Sequence, residues 1–297
     1  MKAFVGVTDY SWFRFLQSQS PDEVNFWQPS GRTQFRALSA GELFLFKLHA
    51  PRNYIVGGGF FVRSSLLPTF LAWEAFGIKN GVSSVTEFDQ KIHRYKKDRE
   101  QLNPIIGCII LSDPFFFDES EWIPVPEDWS PNIVVGKTYS GDTRVGRDLI
   151  DEVYSRLQQP EAVGEVQFSQ RWTTQREGQG AFRVGVTDAY HRRCAISGEK
   201  TLPILDAAHI KPVSVSGTHS ISNGILLRTD IHGLYDRGYM TITPDYHIEV
   251  SKRLDEEYGN GKIYYNYHGL LVSNLPNKQS ELPNAEALQW HNAHVYR

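Results

Sequence analysis

The chain has 297 residues, of which 40% are hydrophobic and 22% are charged, with a formal net charge of -3 at pH 7. This length allows about two domains, and the share of apolar residues excludes a disordered chain. The near-neutral charge excludes a protein that is basic throughout, so a nucleic-acid partner would need a local basic face.

The number of cysteines and the length of the apolar segments indicate the cellular compartment of the protein. Only Cys108 and Cys194 are present, which excludes a disulfide framework and a four-cysteine zinc site and favours a reducing cytosol. The N-terminus has no charged region leading a long apolar stretch, so we expect no signal peptide. The apolar runs are far shorter than the roughly 20 residues of a membrane-spanning helix. We therefore expect a cytoplasmic protein with no membrane partner.

Residues 1–140 form the first predicted domain, which is rich in strand-like segments. The predicted strands are Phe4–Thr8, Glu42–Leu48, Tyr54–Val62 and Ile105–Leu111. Two predicted helices interrupt them, Leu67–Phe76 with Pro68 in its first turn and Val85–Tyr95. Several short strands at this spacing predict a small barrel or sandwich.

Many aromatic residues of this first domain fall in predicted loops. A base that is extruded from a duplex needs flat side chains on which to stack, so these loops predict a base pocket. Its candidate residues are Tyr10, Trp12, Trp27, Trp73 and Asp113. Polar residues close by in sequence could read the edge of the base, namely Asp9, Asn25, Gln28 and Asn80. Packing in the core is the alternative for every one of the aromatic residues.

Residues 141–178 are predicted to form a helix and a linker. Apolar residues recur at a four-residue step from Val145 to Leu157, which is typical of an amphipathic helix over residues 143–158. The stretch from Gln159 to Gly180 is polar and contains proline and glycine, so we expect the linker there.

The second predicted domain covers residues 179–297. It begins with a predicted helix, Ala181–Arg193, followed by Cys194–Gly198 as a strand and turn. Two further strands are predicted, and a short helix follows them with Thr229 or Asp230 as its N-cap.

Three polar residues mark the ends of these last elements. His209 ends one strand, Asn223 starts the next, and His232 lies on the helix that follows. A ββα unit of this kind brings the three side chains towards one point. Hydrolysis of a phosphodiester needs such a group, because a neutral imidazole takes a proton from water while a cation stabilises the charge that develops. The pattern therefore predicts a nuclease.

These residues resemble the HNH endonuclease family, in the branch that begins Glu/Asp-Ala-Ala-His-Ile. The matching segments are Tyr190, Cys194–Gly198, Asp206–Ile210, Asn223-Gly224, and His232 with Tyr235–Gly238. The resemblance extends over residues 176–295 and implies a ββα-metal fold. It also implies that His209 is the general base, that Asn223 is the orienting residue and that His232 is a metal ligand.

One position departs from the family pattern. Many members place an acidic ligand directly before the base, where this chain has Ala208. Asp206 is the nearest carboxylate, but on an extended strand it faces away from His209 and would need a bulge or turn to reach a metal. Asp236, one helical turn beyond His232, is another candidate ligand. The resemblance implies a divalent ion, Mg²⁺ first, with Mn²⁺, Co²⁺ or Ni²⁺ as alternatives.

Basic residues around this motif are candidates for contacts with phosphate groups. They are Lys211, Arg228 and Arg237, with Arg192 and Arg193 beside them. Such contacts add affinity through counterion release more than they add specificity. Solvated surface charge is an equally good interpretation of each residue taken singly.

The remaining histidines and Cys194 are interpreted without a catalytic role. His219, in the loop between the two strands, could touch phosphate, but a structural or solvent-exposed role is favoured. His291 is interpreted as a packing residue of the last helix. Cys194 has no second cysteine nearby, so we expect a buried hydrophobe and no structural zinc. Surface or structural roles are also expected for His49, His93, His191, His247, His268 and His294.

Four segments of the first domain resemble the EVE branch of PUA-like domains, with the SRA branch as the alternative. They are Phe4–Thr8 with Trp12, Phe26–Pro29, Gly41–Leu48 and Ile55–Phe61. Domains of this group bind modified bases. The predicted fold class is therefore α+β, with an N-terminal PUA-like β-barrel followed by a C-terminal ββα-metal nuclease domain.

This fusion resembles the modification-dependent restriction endonucleases of bacteria. The resemblance implies that the substrate is double-stranded DNA containing 5-methylcytosine or 5-hydroxymethylcytosine, as in phage DNA. Three alternatives stay open: a nuclease or toxin indifferent to modification, a non-catalytic binder of modified nucleic acid, and RNA as the ligand. Cutting two strands with one site per chain would need a homodimer or two encounters.

Overall fold

The computed structural model describes residues 1–95, 103–157, 178–215 and 217–297. Contacts group the chain into two compact units, Met1–Gly178 and Gln179–Arg297. The mixture of sheets and helices confirms the α+β class. Most of the predicted linker, residues 158–177, lies outside the described residues. Within the described ranges, no helix is long and apolar enough to cross a membrane.

The N-terminal unit is built on one large mixed sheet. Its strands are β1 (Lys2–Thr8), β2 (Glu23–Gln28), β3 (Leu43–Leu48), β4 (Tyr54–Pro68), β5 (Ile105–Phe116), β6 (Ile123–Pro124) and β7 (Gly136–Ser140). They are ordered β2-β5-β4-β3-β1-β7, with β6 beside β4. β1 and β3 run parallel, and the other neighbouring strands are antiparallel. All four strands predicted for this unit are confirmed, and β4 and β5 extend beyond the predicted ends.

Side chains cover this sheet on both faces. In β3, Phe44 and Phe46 enter an aromatic core with Trp12, whereas Leu43 and Leu45 enter a second, mostly aliphatic core. This alternation explains why every residue of the strand is buried. β4 also carries two register shifts, which bend and twist a strand as closed or strongly coiled sheets require.

Four described helices accompany the sheet in this unit. They are α1 (Tyr10–Gln19), α2 (Thr69–Phe76), α3 (Val85–Tyr95) and α4 (Arg144–Leu157). α3 has the predicted bounds, and α4 lies within one residue of its predicted bounds at each end. α2 starts two residues later than predicted, because Leu67 and Pro68 complete β4 and Pro68 is the N-cap.

The expectation that the aromatic residues lie in loops was wrong for most of them. Trp12 belongs to α1, Trp27 to β2 and Phe116 to β5. In α1 the buried residues Trp12, Phe13 and Leu16 have helical spacing, and burial of their face against the sheet stabilises the helix. The local sequence between turns did not reveal α1 and β2. The apolar faces of these short elements pack against strands that are distant in the chain.

The C-terminal unit is a set of small elements around its own core. They are α5 (Gln179–Ala189), β8 (Leu205–His209), β9 (Gly224–Arg228), α6 (Thr229–Asp236), β10 (Met240–Ile242), β11 (Ile248–Val250), α7 (Arg253–Tyr258), α8 (Lys262–Tyr265) and α9 (Ala285–His294). β8 pairs with β9, and β10 pairs with β11, both antiparallel. The core includes Phe182, Tyr190, Leu226 and Tyr235.

Three predicted details of this unit were wrong. α5 ends at Ala189, because His191 and Arg192 adopt left-handed backbone angles that end the helix. Cys194–Gly198 is a turn closed by backbone hydrogen bonds, with no strand. α6 already includes Thr229, so Arg228 is the N-cap.

Candidate functional site

The β8–β9 hairpin and α6 form the ββα unit that the sequence predicts. His209, the last residue of β8, pairs with Gly224, the first residue of β9. α6 begins directly after β9 and carries His232 one turn into the helix. The antiparallel pairing therefore brings the end of one strand next to the start of the other, although the loop between them is long.

The ring of His209 is held between an aromatic wall and a second histidine. Phe182 of α5 stacks on it almost parallel, with ring centroids 3.9 Å apart and an interplanar angle of 9°. Its Nε2 lies 3.2 Å from Nδ1 of His219. Burial, with smaller contributions from the charges of His219 and His232, lowers the pKa of His209 to about 4. At neutral pH the imidazole is therefore uncharged and can accept a proton.

Asn223 is buried and binds backbone groups of the loop after β8. Its Oδ1 accepts from the Lys211 amide at 3.0 Å, and its Nδ2 donates to the Lys211 and Thr218 carbonyls, each at 2.9 Å. The side chain thus ties both ends of the inter-strand loop together. None of these hydrogen bonds goes to His209.

His232 stands between two carboxylates. Its Nδ1 is 3.3 Å from Oδ2 of Asp206, and its Nε2 is 3.3 Å from Oδ2 of Asp236. Asp206 approaches His232 without the bulge or turn that the sequence suggested it would need. The register of β8 against β9 is unbroken, and Asp206 reaches His232 because α6 packs over this strand.

The imidazole and carboxylates suit a divalent ion bound by nitrogen and oxygen. A spacing of 3.3 Å between two ligand atoms agrees with both binding one ion at about 2.1 Å. Among the described residues, no group of three or more His, Cys, Asp or Glu side chains could hold a metal by itself. Asp206 and His232 would supply one oxygen and one nitrogen donor to such an ion.

The five basic residues around the motif differ in the groups that their side chains contact. Arg228 makes two hydrogen bonds to Asp230, at 2.6 and 2.7 Å, and Arg192 pairs with Asp188. Arg237 donates to the Gly233 carbonyl at 2.8 Å. Lys211 lies over the ring of Trp290, and the side chain of Arg193 is exposed. Lys211, Arg237 and Arg193 are therefore better placed for phosphate than Arg228, whose charge is already neutralised.

The N-terminal unit contains a cavity of about 230 Å³. It is lined by Val7, Thr8, Asp9, Trp12, Phe26, Trp27, Pro29, His49, Lys91, Tyr95 and Val134. Of the residues predicted for a base pocket, Trp12 and Trp27 line it. Both indole N–H groups donate to the Asn80 carbonyl at 3.0 Å, which holds the rings in place. Trp12 is 4% exposed, and Trp27 is half-buried.

The other three residues predicted for a base pocket do not line this cavity. Tyr10 stacks under the Arg52 guanidinium, whose carbon lies 4.0 Å from the ring centroid. Trp73, on α2, packs against Phe88, and Asp113, on β5, is exposed. Each lies on a helix or strand that directs its side chain away from the cavity.

Two of the polar residues considered as base readers have a structural role instead. Asn25 and Asn80 are fully buried and hydrogen-bond to each other at 2.8 Å. Asp9 does line the cavity. It is the N-cap residue of α1, but its carboxylate makes no capping bond and lies 3.5 Å from Nε2 of His49. Sequence reasoning missed His49, Lys91 and Tyr95, which are far apart in the chain and carry no motif.

Comparison with known proteins identifies the C-terminal motif. Residues 194–243 match the HNH endonuclease family. No curated protein matches the chain in sequence. One similar solved structure is ASCH from Zymomonas mobilis, with 11% identity and a TM-score of 0.34 over 50% of this chain and 94% of that one. Another is the modification-dependent TagI restriction endonuclease, with 12% identity and a TM-score of 0.30 over 93% of this chain and 76% of that one.

The family match spans β8, β9 and α6, and so includes His209, Asn223 and His232. The prediction of an HNH nuclease from the sequence is confirmed. The protein is an endonuclease whose C-terminal unit contains an HNH domain.

Proposed function

We propose that this protein is a modification-dependent restriction endonuclease of the bacterial cytoplasm. Its N-terminal unit binds double-stranded DNA that contains a modified cytosine, 5-hydroxymethylcytosine or 5-methylcytosine, and its C-terminal unit cuts that DNA with a divalent ion. The observation that carries the proposal is the placement of His209, held by Phe182 and His219, in the same ββα unit as the Asp206–His232 pair. The cavity edged by Trp12 and Trp27 supports the recognition step.

His209 acts as the general base. Its neutral ring takes a proton from a water molecule, and the resulting hydroxide attacks phosphorus. The bond from phosphorus to the 3′ oxygen breaks, the electron pair stays on that oxygen, and solvent supplies its proton. The stacked Phe182 keeps the base in one plane while the proton moves.

Asp206 and His232 are the residues that would hold the ion. When bound, a divalent ion stabilises the negative charge that develops on the phosphate and the leaving oxygen. Asp206 is the better ligand because it shares β8 with the base and is 34% exposed, against 56% for Asp236. Asp236 would then accept from Nε2–H of His232 and orient the ring, which leaves Nδ1 as the nitrogen that would bind the ion.

The cavity in the N-terminal unit suits a flipped cytosine. The half-buried indole of Trp27 provides stacking, and the exocyclic amino group of cytosine is a donor from which an aspartate accepts. Asp9 supplies this acceptor at the cavity wall, because its carboxylate is not used to cap α1. Lys91, which also lines the cavity, adds a positive charge for the flanking phosphate.

The nuclease assignment of His209 is tested by replacing it with alanine. We expect His209→Ala to abolish metal-dependent cleavage and to leave the dissociation constant for the duplex unchanged, since the cavity belongs to the other unit. The exposed His191 provides a matched control as His191→Asn, because asparagine tolerates its left-handed backbone. Full cleavage by His209→Ala would refute the assignment.

The recognition step is tested with otherwise identical duplexes. They would carry cytosine, 5-methylcytosine, 5-hydroxymethylcytosine or its glucosylated form, and cleavage rates would be compared at equal metal concentration. We expect a modified duplex to be cut faster than the unmodified one. Equal rates on all four would indicate a nuclease indifferent to modification, and binding without any cleavage would indicate a non-catalytic reader.

A further inference from the structure

We infer that His219 is a positioning residue for the nuclease reaction, which selects the nitrogen of His209 that acts as the base. The inference rests on the proposed function of His209. Its starting point is the hydrogen-bond distance of 3.2 Å between Nε2 of His209 and Nδ1 of His219. Because Nε2 is engaged by this neighbour, Nδ1 is the nitrogen that can take a proton from water.

Only one direction of this hydrogen bond leaves the base active. A neutral imidazole has one protonated nitrogen and one with a lone pair. If His219 donated to Nε2 of His209, the proton of His209 would be on Nδ1, and no lone pair would face the water. If Nε2–H of His209 donates to Nδ1 of His219, the lone pair on Nδ1 is available. His219 therefore acts as an acceptor that selects the active tautomer.

The same hydrogen bond becomes stronger as the reaction proceeds. Once Nδ1 of His209 has taken the proton, the ring is an imidazolium whose Nε2–H still donates to His219. A hydrogen bond with a charged donor is about twice as strong as one between neutral groups. His219 thus favours the protonated base relative to the neutral one without touching the phosphate.

The loop that carries His219 is held in place by Asn223. Asn223 donates to the carbonyl of Thr218, directly before His219, and binds both backbone groups of Lys211. The side chain of Asn223 thus acts on His209 through this loop. Phe182 completes the arrangement, since its ring stacks on His209 and lies edge-on to His219 at 5.9 Å.

Two variants of His219 distinguish a role as a hydrogen-bond acceptor from a role in packing alone. His219→Leu removes the acceptor, whereas His219→Asn retains one, since the Oδ1 of asparagine can occupy the position of Nδ1. Under single-turnover conditions at saturating protein and Mn²⁺, we expect His219→Leu to slow cleavage about 10- to 100-fold. We expect His219→Asn to recover most of that loss, and both variants to bind duplex as the wild type does. His191→Asn serves as the control that changes nothing.

Nuclear magnetic resonance gives a readout that does not depend on cleavage. In the metal-free full chain labelled with ¹⁵N-histidine, we expect the nitrogen shifts of His209 to report the Nε2–H form. His219→Leu should convert them to a mixture of the two tautomers, and His219→Asn should not. Unchanged tautomers in His219→Leu, or equal losses of rate in both variants, would overturn the role of His219. A wild type that cleaves no duplex would instead refute the proposed function, and the tautomer comparison would still decide the role of His219.

Discussion

At the scale of single residues, His232 is defined by the two carboxylates beside it. Each nitrogen of its ring lies 3.3 Å from one aspartate, so the ring has one nitrogen for an ion and one for an orienting hydrogen bond. Orienting carboxylates of this kind raise the basicity of the ligand and fix its tautomer. The two aspartates are therefore expected to differ in how much metal binding depends on them.

We predict that Asp206→Ala weakens Mn²⁺ binding and slows cleavage by more than about 100-fold, because it removes an oxygen ligand. Asp236→Ala should lower the affinity for Mn²⁺ and the cleavage rate by about 10-fold each, since the ring of His232 remains but loses its orienting acceptor. Calorimetric titration of Mn²⁺ into each variant measures the difference. A larger loss of Mn²⁺ binding in Asp236→Ala than in Asp206→Ala would mean that Asp236 is the ligand and Asp206 the orienting residue.

His291 is a second histidine whose charge state is set by its surroundings. It is 2% exposed, stacks on Tyr235 with ring centroids 3.8 Å apart, and lies 2.8 Å from the Thr241 hydroxyl. Burial lowers its pKa to about 4, although the hydrogen bond to the Tyr235 carbonyl acts in the opposite direction. The packing role expected for this residue therefore also keeps it neutral in the folded state.

We predict that His291 makes the protein less stable as the pH falls. Its folded pKa lies below the unfolded value of about 6.5, so between pH 6.5 and 4 the unfolded chain binds a proton that the native protein does not. The free energy of unfolding should fall by about 1–2 kcal/mol between pH 7 and 5 on this account. Urea unfolding of the wild type and of His291→Gln at both pH values tests this. Equal pH dependence in the two proteins would contradict it.

At the scale of elements, the site depends on the close approach of α5 to β9. A Cβ added to Gly224 would lie 2.4 Å from Val186 and 2.8 Å from the ring of Phe182. Phe182 is the residue that stacks on His209. The glycine after the motif asparagine therefore allows the helix to bring its aromatic wall against the base.

We predict that Gly224→Ala destabilises the protein by about 1–3 kcal/mol and slows cleavage, because the methyl group pushes Phe182 away from His209. The control is Gly233→Ala within α6. There the added atom meets only the end of the Arg237 side chain at 3.1 Å, and alanine favours a helix. Thermal unfolding and cleavage rates measure both effects. A Gly224→Ala protein that is as stable and active as the control would contradict the proposed contact.

At the scale of the whole molecule, the cavity and the nuclease site belong to different units with separate cores. Recognition and cleavage are therefore expected to be separable by mutation.

We predict that Asp9→Ala weakens binding of the modified duplex by about 10-fold, because it removes the acceptor for the amino group of the flipped base. The fold should tolerate this change, since Asp9 makes no capping bond to α1. Fluorescence anisotropy measures the dissociation constant for the modified duplex, and the exposed Asp151→Ala is the matched control. An unaltered dissociation constant in Asp9→Ala would remove the cavity from the recognition step.

The sequence by itself determined the features that depend on short stretches of chain. The order of His209, Asn223 and His232, the strands of the hairpin and the helix α3 follow from local spacing and periodicity. Four strands of the N-terminal sheet, β1, β3, β4 and β5, followed from the same kind of signal, whereas β2, β6 and β7 were not predicted. Local patterns suffice for these because each element carries its own apolar face and turn residues.

Only the tertiary structure decided which side chains meet. His219 faces His209 from a loop, Asp206 reaches His232 through helix packing, and the cavity collects residues from α1, β2 and α3. Such contacts join positions far apart in the chain, so they leave no spacing to recognise. The physical reason is that packing of complete elements, and not local preference, sets the final direction of each side chain.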